Sequence, residues 1–555
     1  MKRVLNKLKN WIDREQKEFI RTFLLSEGFG FCLCLSFVLG YRLDHYGNVS
    51  GWLIQSIILS LVLGVIVSSV LMLFWMRVYD HESEHSKDTA ESVPDKVKPS
   101  VWIISSVGLF MIWLPVWLAY FPAVFAYDAE TQLGQVISGV YSTHHPLLHT
   151  LLMGGCMKLM WDFGGINAGM ALYAFVQMAI MAVTLGWVIA EAHRMGTRTL
   201  WLCIYGVTLV LLPVSSILSI STTKDVLFSA MLVVCILFIN RTVHSCSKSD
   251  HIRIAVFAAL MICLRNNALY ALILSVAVIW LMFITKYIKN RDFIKPLVIA
   301  LVLGCIAGCF INTGLKLMLN ADSGSPREAL SIPIQQMARV DIQCSDKLSP
   351  ELRADLEKIL DGSVNDRYDP HLADPVKKKV YMKEPRLFVS TWLKLGIRFP
   401  GQYLDAWLYT TEGAWYIADV SANRIYGTGT ASGFGYLSTD VRPMPYGFEV
   451  QPRSYLPGLR GMIERIVSDN AFEKIPVIRF LFAPALYIWI LVLYLHYMSV
   501  IKERRGILVM VLPIAVYLTV LMGPAILIRY MYPFMLLIIL PVMNTGFFRN
   551  GYLRK

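Results

Sequence analysis

One short stretch, YDAETQLGQVISGVYSTHHP, brings together two carboxylates and two histidines: Asp128, Glu130, His144 and His145. Three further polar clusters interrupt apolar sequence. Lys224 and Asp225 lie in STTKD, Arg265 and Asn266 in LRNNALY, and Arg529 and Tyr530 in GPAILIRYMYPF. An arginine can grip a phosphate bidentately, and a lysine adds a point charge. A carboxylate beside that phosphate can take the proton of an attacking hydroxyl. A phosphorylated donor plus a general base is the chemistry of group transfer. For any single Lys or Arg the blander account is a side chain reaching from a helix end to water. Their recurrence calls for a common explanation.

The elements that must position these residues are membrane helices. Of 555 residues, 56% are hydrophobic and 16% charged, and mean hydropathy is +0.53. Apolar runs of roughly 18–25 residues indicate helical spans. The short alternating segments of a membrane β-barrel are absent. The expected fold is an all-α polytopic membrane protein with about twelve crossings. The runs fall near 22–41, 52–76, 101–121, 168–190, 199–220, 226–243, 252–264, 268–285, 296–318, 477–500, 507–527 and 530–547. A further run, PLLHTLLMGGCMKLMW (146–161), contains His149, Lys158 and a glycine pair. It suits a re-entrant or interfacial helix better than a crossing.

Loop charge orients the chain. With 146–161 left on the outer face and the N-terminus inside, EAHRMGTRT, NRTVHSCSKSDHIR, KYIKNRDFIK, IKERRG and RNGYLRK all fall on the cytoplasmic side, as the positive-inside tendency requires. The net charge of +13 follows from these loops and does not imply nucleic acid. Residues 1–78 read as an amphipathic helix followed by an appended pair of spans, and 79–100 as a cytoplasmic linker. Residues 101–318 form a transmembrane core whose first outer loop is 122–167. Residues 319–475 form an extracytoplasmic domain, α+β or mainly α, and 476–555 return to the membrane. Both termini are expected inside. Of ten cysteines only Cys344 lies in the long polar segment, so that segment holds no internal disulfide, and no His/Cys ligand spacing appears.

On that topology the four polar clusters share the outer face. Within the polar domain, Gln335, Gln336 and Arg339 in SIPIQQMAR have the spacing of a helix face at the membrane surface and are candidates to hold donor or acceptor. Trp392, Trp407, Tyr409, Trp415 and Tyr416 could stack on sugar rings, although domain core or interfacial anchoring explains most of them.

The segments YDAETQLGQ, HHPLLHTLLMGG, STTKDVLF, LRNNALY, SIPIQQMARV and RYMYPF, in that order over about 101–547, resemble the GT-C superfamily of integral-membrane glycosyltransferases, in an uncharacterised bacterial branch. Its members include protein O-mannosyltransferases and lipid A aminoarabinose transferases. The resemblance implies a sugar donor carried on a polyprenyl phosphate, with Asp128 as catalytic base and Glu130 as second candidate. It implies donor contacts from His144, His145, Lys224, Asp225, Arg265, Asn266, Gln336, Arg339, Arg529 and Tyr530. The acceptor would be a hydroxyl of a cell-envelope glycan, lipid or protein, at the outer face of a bacterial cell membrane. No cofactor is implied, and a divalent metal held by Asp128, His144 and His145 stays an alternative. The chain departs from better-known members in its two leading spans and in placing its polar domain before the last three spans. A flippase or transporter of lipid-linked glycans, or a polysaccharide polymerase or ligase, are the competing readings.

Overall fold

A computed structural model of the chain describes residues 16–85, 96–125, 128–289, 291–418, 449–467 and 475–545. Residues 1–15 of the expected N-terminal amphipathic helix, 86–95 of the 79–100 linker, the YGTGTASGFGY stretch and the terminal RNGYLRK lie outside these residues. Among the described residues, 77% are helical and none forms a strand; their backbone pairing outside helices is limited to isolated bridges. The described part of 319–475 is accordingly helical.

In chain order the main helices are α1 (Gln16–Tyr46), α2 (Leu53–His85), α3 (Pro99–Ala119), α4 (Ala129–Ser138), α5 (Leu147–Leu159), α6 (Trp161–Arg194), α7 (Thr199–Leu211), α8 (Pro213–Ser219), α9 (Lys224–Thr242), α10 (Lys248–Leu264), α11 (Ala268–Ile284) and α12 (Ile294–Met318). The polar segment follows with α13 (Ser331–Cys344), α14 (Pro350–Leu360), α15 (Pro385–Arg398), α16 (Pro400–Thr411) and α17 (Pro457–Val467). The last apolar helices are α18 (Pro484–Val500), α19 (Val511–Val520) and α20 (Ile528–Leu537). Proline opens α3, α8, α14, α15, α16 and α18, where its missing N–H costs nothing.

Among the described residues, six stretches are long and apolar enough to cross a membrane: α1, Ser50–Trp75, α3, α6, α9 and α12. The chain is therefore a membrane-embedded helical protein. The remaining apolar runs form shorter helices, several of them broken. The 199–220 run divides at Pro213 into α7 and α8. The 146–161 run forms the 13-residue α5, about 20 Å long against a hydrocarbon core of about 30 Å. Gly164 and Gly165 then break the start of α6, Gly165 at φ +61.

Close packing depends on small residues. Gly304 and Gly308 of α12 sit against α10 so tightly that an added Cβ would meet Ala255 O at 2.7 Å and Ile262 Cβ at 2.8 Å. This is the small-xxx-small contact that lets apolar helices approach where no hydrophobic force joins them.

The α1–α2 hairpin is bound to the rest at both ends. At one end Trp75 donates its indole N–H to His496 Nε2 (3.1 Å), Arg21 donates to Ser499 O and Val500 O, and Lys502 pairs with Glu18 at 2.5 Å. At the other, Asp405 of α16 accepts from Val49 N (2.9 Å), Ser50 N (3.0 Å) and Ser50 Oγ (2.9 Å). Arg339 donates to Gly47 O at 2.7 Å and Tyr409 to Leu43 O at 2.8 Å. Asp405 is buried, and its loss leaves three donors and Arg339 short of a partner. Asp405→Ala is expected to cost about 3–5 kcal/mol, read as a lowered Tm in detergent and faster proteolysis at 47–51. An unchanged Tm and digestion pattern would show that the clamp carries no weight.

Candidate functional site

Two distant loops are joined by backbone. Val124 N–H donates to Ile220 O (3.2 Å) and Thr222 N–H to Val124 O (3.1 Å), forming a parallel bridge between Val124 and Ser221. The start of α4 is thereby set beside the start of α9. Asp128 stands just before α4, Thr223 just before α9, and Lys224 and Asp225 begin the first turn of α9. Lys224 Nζ reaches Asp128 Oδ2 at 2.5 Å and His145 Nδ1 at 3.3 Å.

A second carboxylate lies between two guanidiniums. Asp225, 1% exposed, has Arg265 Nη1 at 3.2 Å from Oδ1 and Arg529 Nε at 3.5 Å from Oδ2. The Thr223 hydroxyl donates to Oδ2 at 3.1 Å. Arg529 also lies 3.8 Å from Asp128 Oδ2, so one buried guanidinium links both carboxylates. The Tyr530 ring is 4.6 Å from the Arg265 guanidinium carbon and 5.0 Å from that of Arg529, and its hydroxyl accepts from Arg529 Nη2 at 3.2 Å. Five charged side chains from four places in the chain thus meet. Three are cationic and two anionic, which leaves one positive charge in excess.

Their placement runs against the helix dipole. Lys224 and Arg529 occupy the first turns of α9 and α20, where a cation is disfavoured and an anion favoured. Asp128 and Asp225 offset that penalty. Two helix N-termini together with three cations make a setting for an anion. Burial pushes the His145 imidazole down, and the charge of Lys224 pushes it further, to about 3. It is neutral at physiological pH and can accept from Lys224, so its 3.8 Å approach to Asp128 is not an ion pair. Burial opposes the charge on Asp128, but Lys224 and Arg529 outweigh it and hold the carboxyl well below its ordinary range.

The other sequence candidates divide. His144 is exposed, its ring 4.4 Å from that of His145. Asn266 is exposed and donates to Thr143 O at 3.3 Å, tying the end of α10 to the histidine loop. Glu130 is half-buried in the first turn of α4, and the cations of the cluster pair with the two aspartates instead. Gln336 and Arg339 are engaged elsewhere: Gln336 accepts from Trp392 Nε1 (2.9 Å) and donates to Tyr403 O (3.3 Å), while Arg339 holds the hairpin loop. Gln336 is held within the polar segment and Arg339 against the hairpin loop, and neither pairs with Asp128. Trp407 and Trp415 donate to Leu521 O (3.3 Å) and Thr411 Oγ1 (3.1 Å), in anchoring contacts. Among the described residues, no three His, Cys, Asp or Glu side chains gather to hold a metal ion.

Sequence reasoning missed the device that aligns the two loops. His149 Nδ1 is 3.0 Å from Gln132 Oε1 of α4, and its Nε2 is 2.6 Å from the Tyr173 hydroxyl of α6. Tyr173 donates to Gln177 Oε1 at 2.6 Å. Gln177 Nε2 donates to the carbonyls of Leu218, Ser219 and Ser221 at 3.2, 3.0 and 2.7 Å. All four side chains are buried. The chain runs from the helix after Asp128 to the loop before Lys224. Its signal in the sequence was Tyr173 and Gln177, a polar pair four apart inside an apolar run. Also missed was His371, whose Nε2 is 3.1 Å from the buried Glu412. Its neighbour Ala373 donates to Pro524 O at 2.8 Å, and Leu372 packs with Ala525, Leu527 and Tyr530. The polar segment therefore rests on the turn that carries Arg529.

Asp128→Asn removes the partner of Lys224, and hydrogen bonds to charged groups contribute about 1.5–3 kcal/mol. A carboxyl depressed on folding adds stability above its unfolded pKa and loses it as pH falls through the folded one. The Tm gap between the protein and Asp128→Asn should be level from neutral pH downward and narrow only below the ordinary 3.8. A gap that closes between pH 7 and 5 would contradict the ion pair.

The sequence profile of a family of unknown function, DUF6020, matches residues 136–551. No curated protein and no solved structure matches the chain.

Proposed function

We propose that this chain, which belongs to the family of unknown function DUF6020, is a GT-C-type membrane glycosyltransferase. It would transfer a sugar from a polyprenyl-phosphate donor to an acceptor hydroxyl of a cell-envelope glycan, lipid or protein. The observation that supports this most is the meeting of Asp128, Lys224, Asp225, Arg265 and Arg529 with one positive charge in excess. In the proposed topology about twelve crossings leave both termini in the cytoplasm, and 319–475 lies outside with the charged cluster.

In the proposed reaction Arg265 and Arg529 hold the donor phosphate, and Lys224 adds its charge. The acceptor oxygen forms a bond to the anomeric carbon. The bond from that carbon to the phosphate oxygen breaks, and the polyprenyl phosphate leaves with the electron pair. The acceptor proton passes to Asp128. A carboxylate held 2.5 Å from an ammonium is a weak base, so the donor phosphate also acts on the base itself. It draws Lys224 away and restores the basicity of Asp128. Proton transfer to Asp128 then follows donor binding.

In proteoliposomes supplied with polyprenyl-phosphate sugar, Asp128→Asn is expected to keep fold and donor binding and to lower transfer by about 10²–10⁴, the usual contribution of a general base. Arg265→Met and Arg529→Met are each expected to weaken donor binding about tenfold or more, one tenfold step being 1.4 kcal/mol. Mass spectrometry of envelope glycans follows the same loss in cells. Full transfer by Asp128→Asn would refute the reading.

A further inference from the structure

Helix α15 presents a face that the described fold leaves uncovered. Its inner side, Phe388, Thr391 and Leu395, is buried in the core of the polar segment. On the outer side Val389, Leu393 and Ile397 recur every fourth residue and are 51%, 49% and 83% exposed. That spacing aligns them in one stripe along the helix. Lys394 and Arg398 are exposed beside the stripe, Arg398 donating one N–H to Lys347 O at 2.7 Å, and Arg386 is exposed in line with the stripe in the first turn; PRLFVSTWLKLGIR contains no carboxylate. The outer surface thus carries an apolar stripe with a basic first turn and a basic flank of Lys394 and Arg398.

The position of the helix end indicates what covers this face. Two residues past Arg398, Pro400 begins α16, and a Cβ on Gly401 would lie 2.9 Å from Ser50 Cβ. Asp405 holds the same loop through Val49 and Ser50. This loop closes the α1–α2 hairpin, and beside it Tyr46 and Trp52 are exposed with rings 6.0 Å apart. Arg42 stacks 5.0 Å from Trp52. Tyr, Trp and snorkelling Arg collect at the boundary between lipid and water. The C-terminal end of α15 therefore stands at the level of that boundary.

We infer that α15 is a peripheral membrane anchor: Val389, Leu393 and Ile397 enter the surface of the leaflet beside the hairpin, and Arg386, Lys394 and Arg398 bind anionic phospholipid head groups. An apolar stripe flanked by basic residues is the arrangement of helices that lie in the plane of the interface. The occupant is the bilayer in which the chain itself sits. An exposed apolar stripe suits a deformable lipid surface, and basic residues without a carboxylate on the same helix select a negative one. Anchored in this way, α15 and the contiguous α16 would fix the tilt of the polar segment over the turn that carries Arg529.

The test places a photoreactive benzoylphenylalanine at position 393, 397 or, as control, 358, where Lys358 is a half-exposed residue of α14. The full-length protein is reconstituted in nanodiscs of phosphatidylcholine alone or mixed with phosphatidylglycerol, and adducts are weighed by mass spectrometry. The expected result is a phospholipid adduct at 393 and 397 and none at 358, with phosphatidylglycerol captured severalfold over its share of the mixture. Arg386→Glu with Lys394→Glu should abolish that preference while leaving Tm unchanged. No lipid adduct at 397, or capture of a protein there in cells, would overturn the anchor. Equal capture of both lipids would overturn its head-group selectivity.

Discussion

Charge placed at the rim of an apolar helical bundle persists only if it is paired. Asp225 is almost wholly shielded from solvent and Arg529 nearly so, and an isolated ion in such a place would carry a solvation penalty of several kcal/mol. Each is tolerated because the other lies 3.5 Å away, with Arg265 and Thr223 completing the shell around the carboxylate. The same logic holds Lys224 on Asp128. Because cations outnumber carboxylates by one, the cluster is balanced only when a further anion joins it. That imbalance underlies the proposed donor site.

Much of the surrounding structure keeps these pairs in register. The Val124–Ser221 bridge and the chain through Gln132, His149, Tyr173 and Gln177 fix the two loops that carry Asp128 and Lys224. Arg529 arrives from a helix near the other end of the chain, on a turn braced by Leu372 and Ala373 of the polar segment. That segment is in turn clamped to the α1–α2 hairpin through Asp405, Arg339 and Tyr409. The leading hairpin, which precedes the residues matched to the family, is thus part of the same mechanical frame.

The helical membrane character was legible because hydropathy is a summed property of long runs, and the shortness of the 146–161 helix was legible from the length of its run. Asp128, Lys224, Arg265 and Arg529 were legible as a group because each interrupts apolar sequence where lysine and arginine are otherwise depleted. Gln336 and Arg339 misled: their spacing described an amphipathic helix correctly, but spacing does not reveal which partner a polar face meets. Trp392 and the Gly47 carbonyl took those contacts. The Glu412–His371 pair and the role of His149 could not be read, because residues so far apart become neighbours only through tertiary packing. The twelve runs also hid their breaks, which follow local prolines such as Pro213 and Pro484.

The central claim is that Lys224 exchanges Asp128 for a lipid-borne phosphate. A structure of the protein with a polyprenyl phosphate bound in nanodiscs tests it most directly. The account predicts the phosphate within hydrogen-bonding distance of Arg265, Arg529 and Lys224, with the Lys224 ammonium withdrawn from Asp128. A phosphate seated elsewhere, or one bound while Lys224 stays on Asp128, would contradict it.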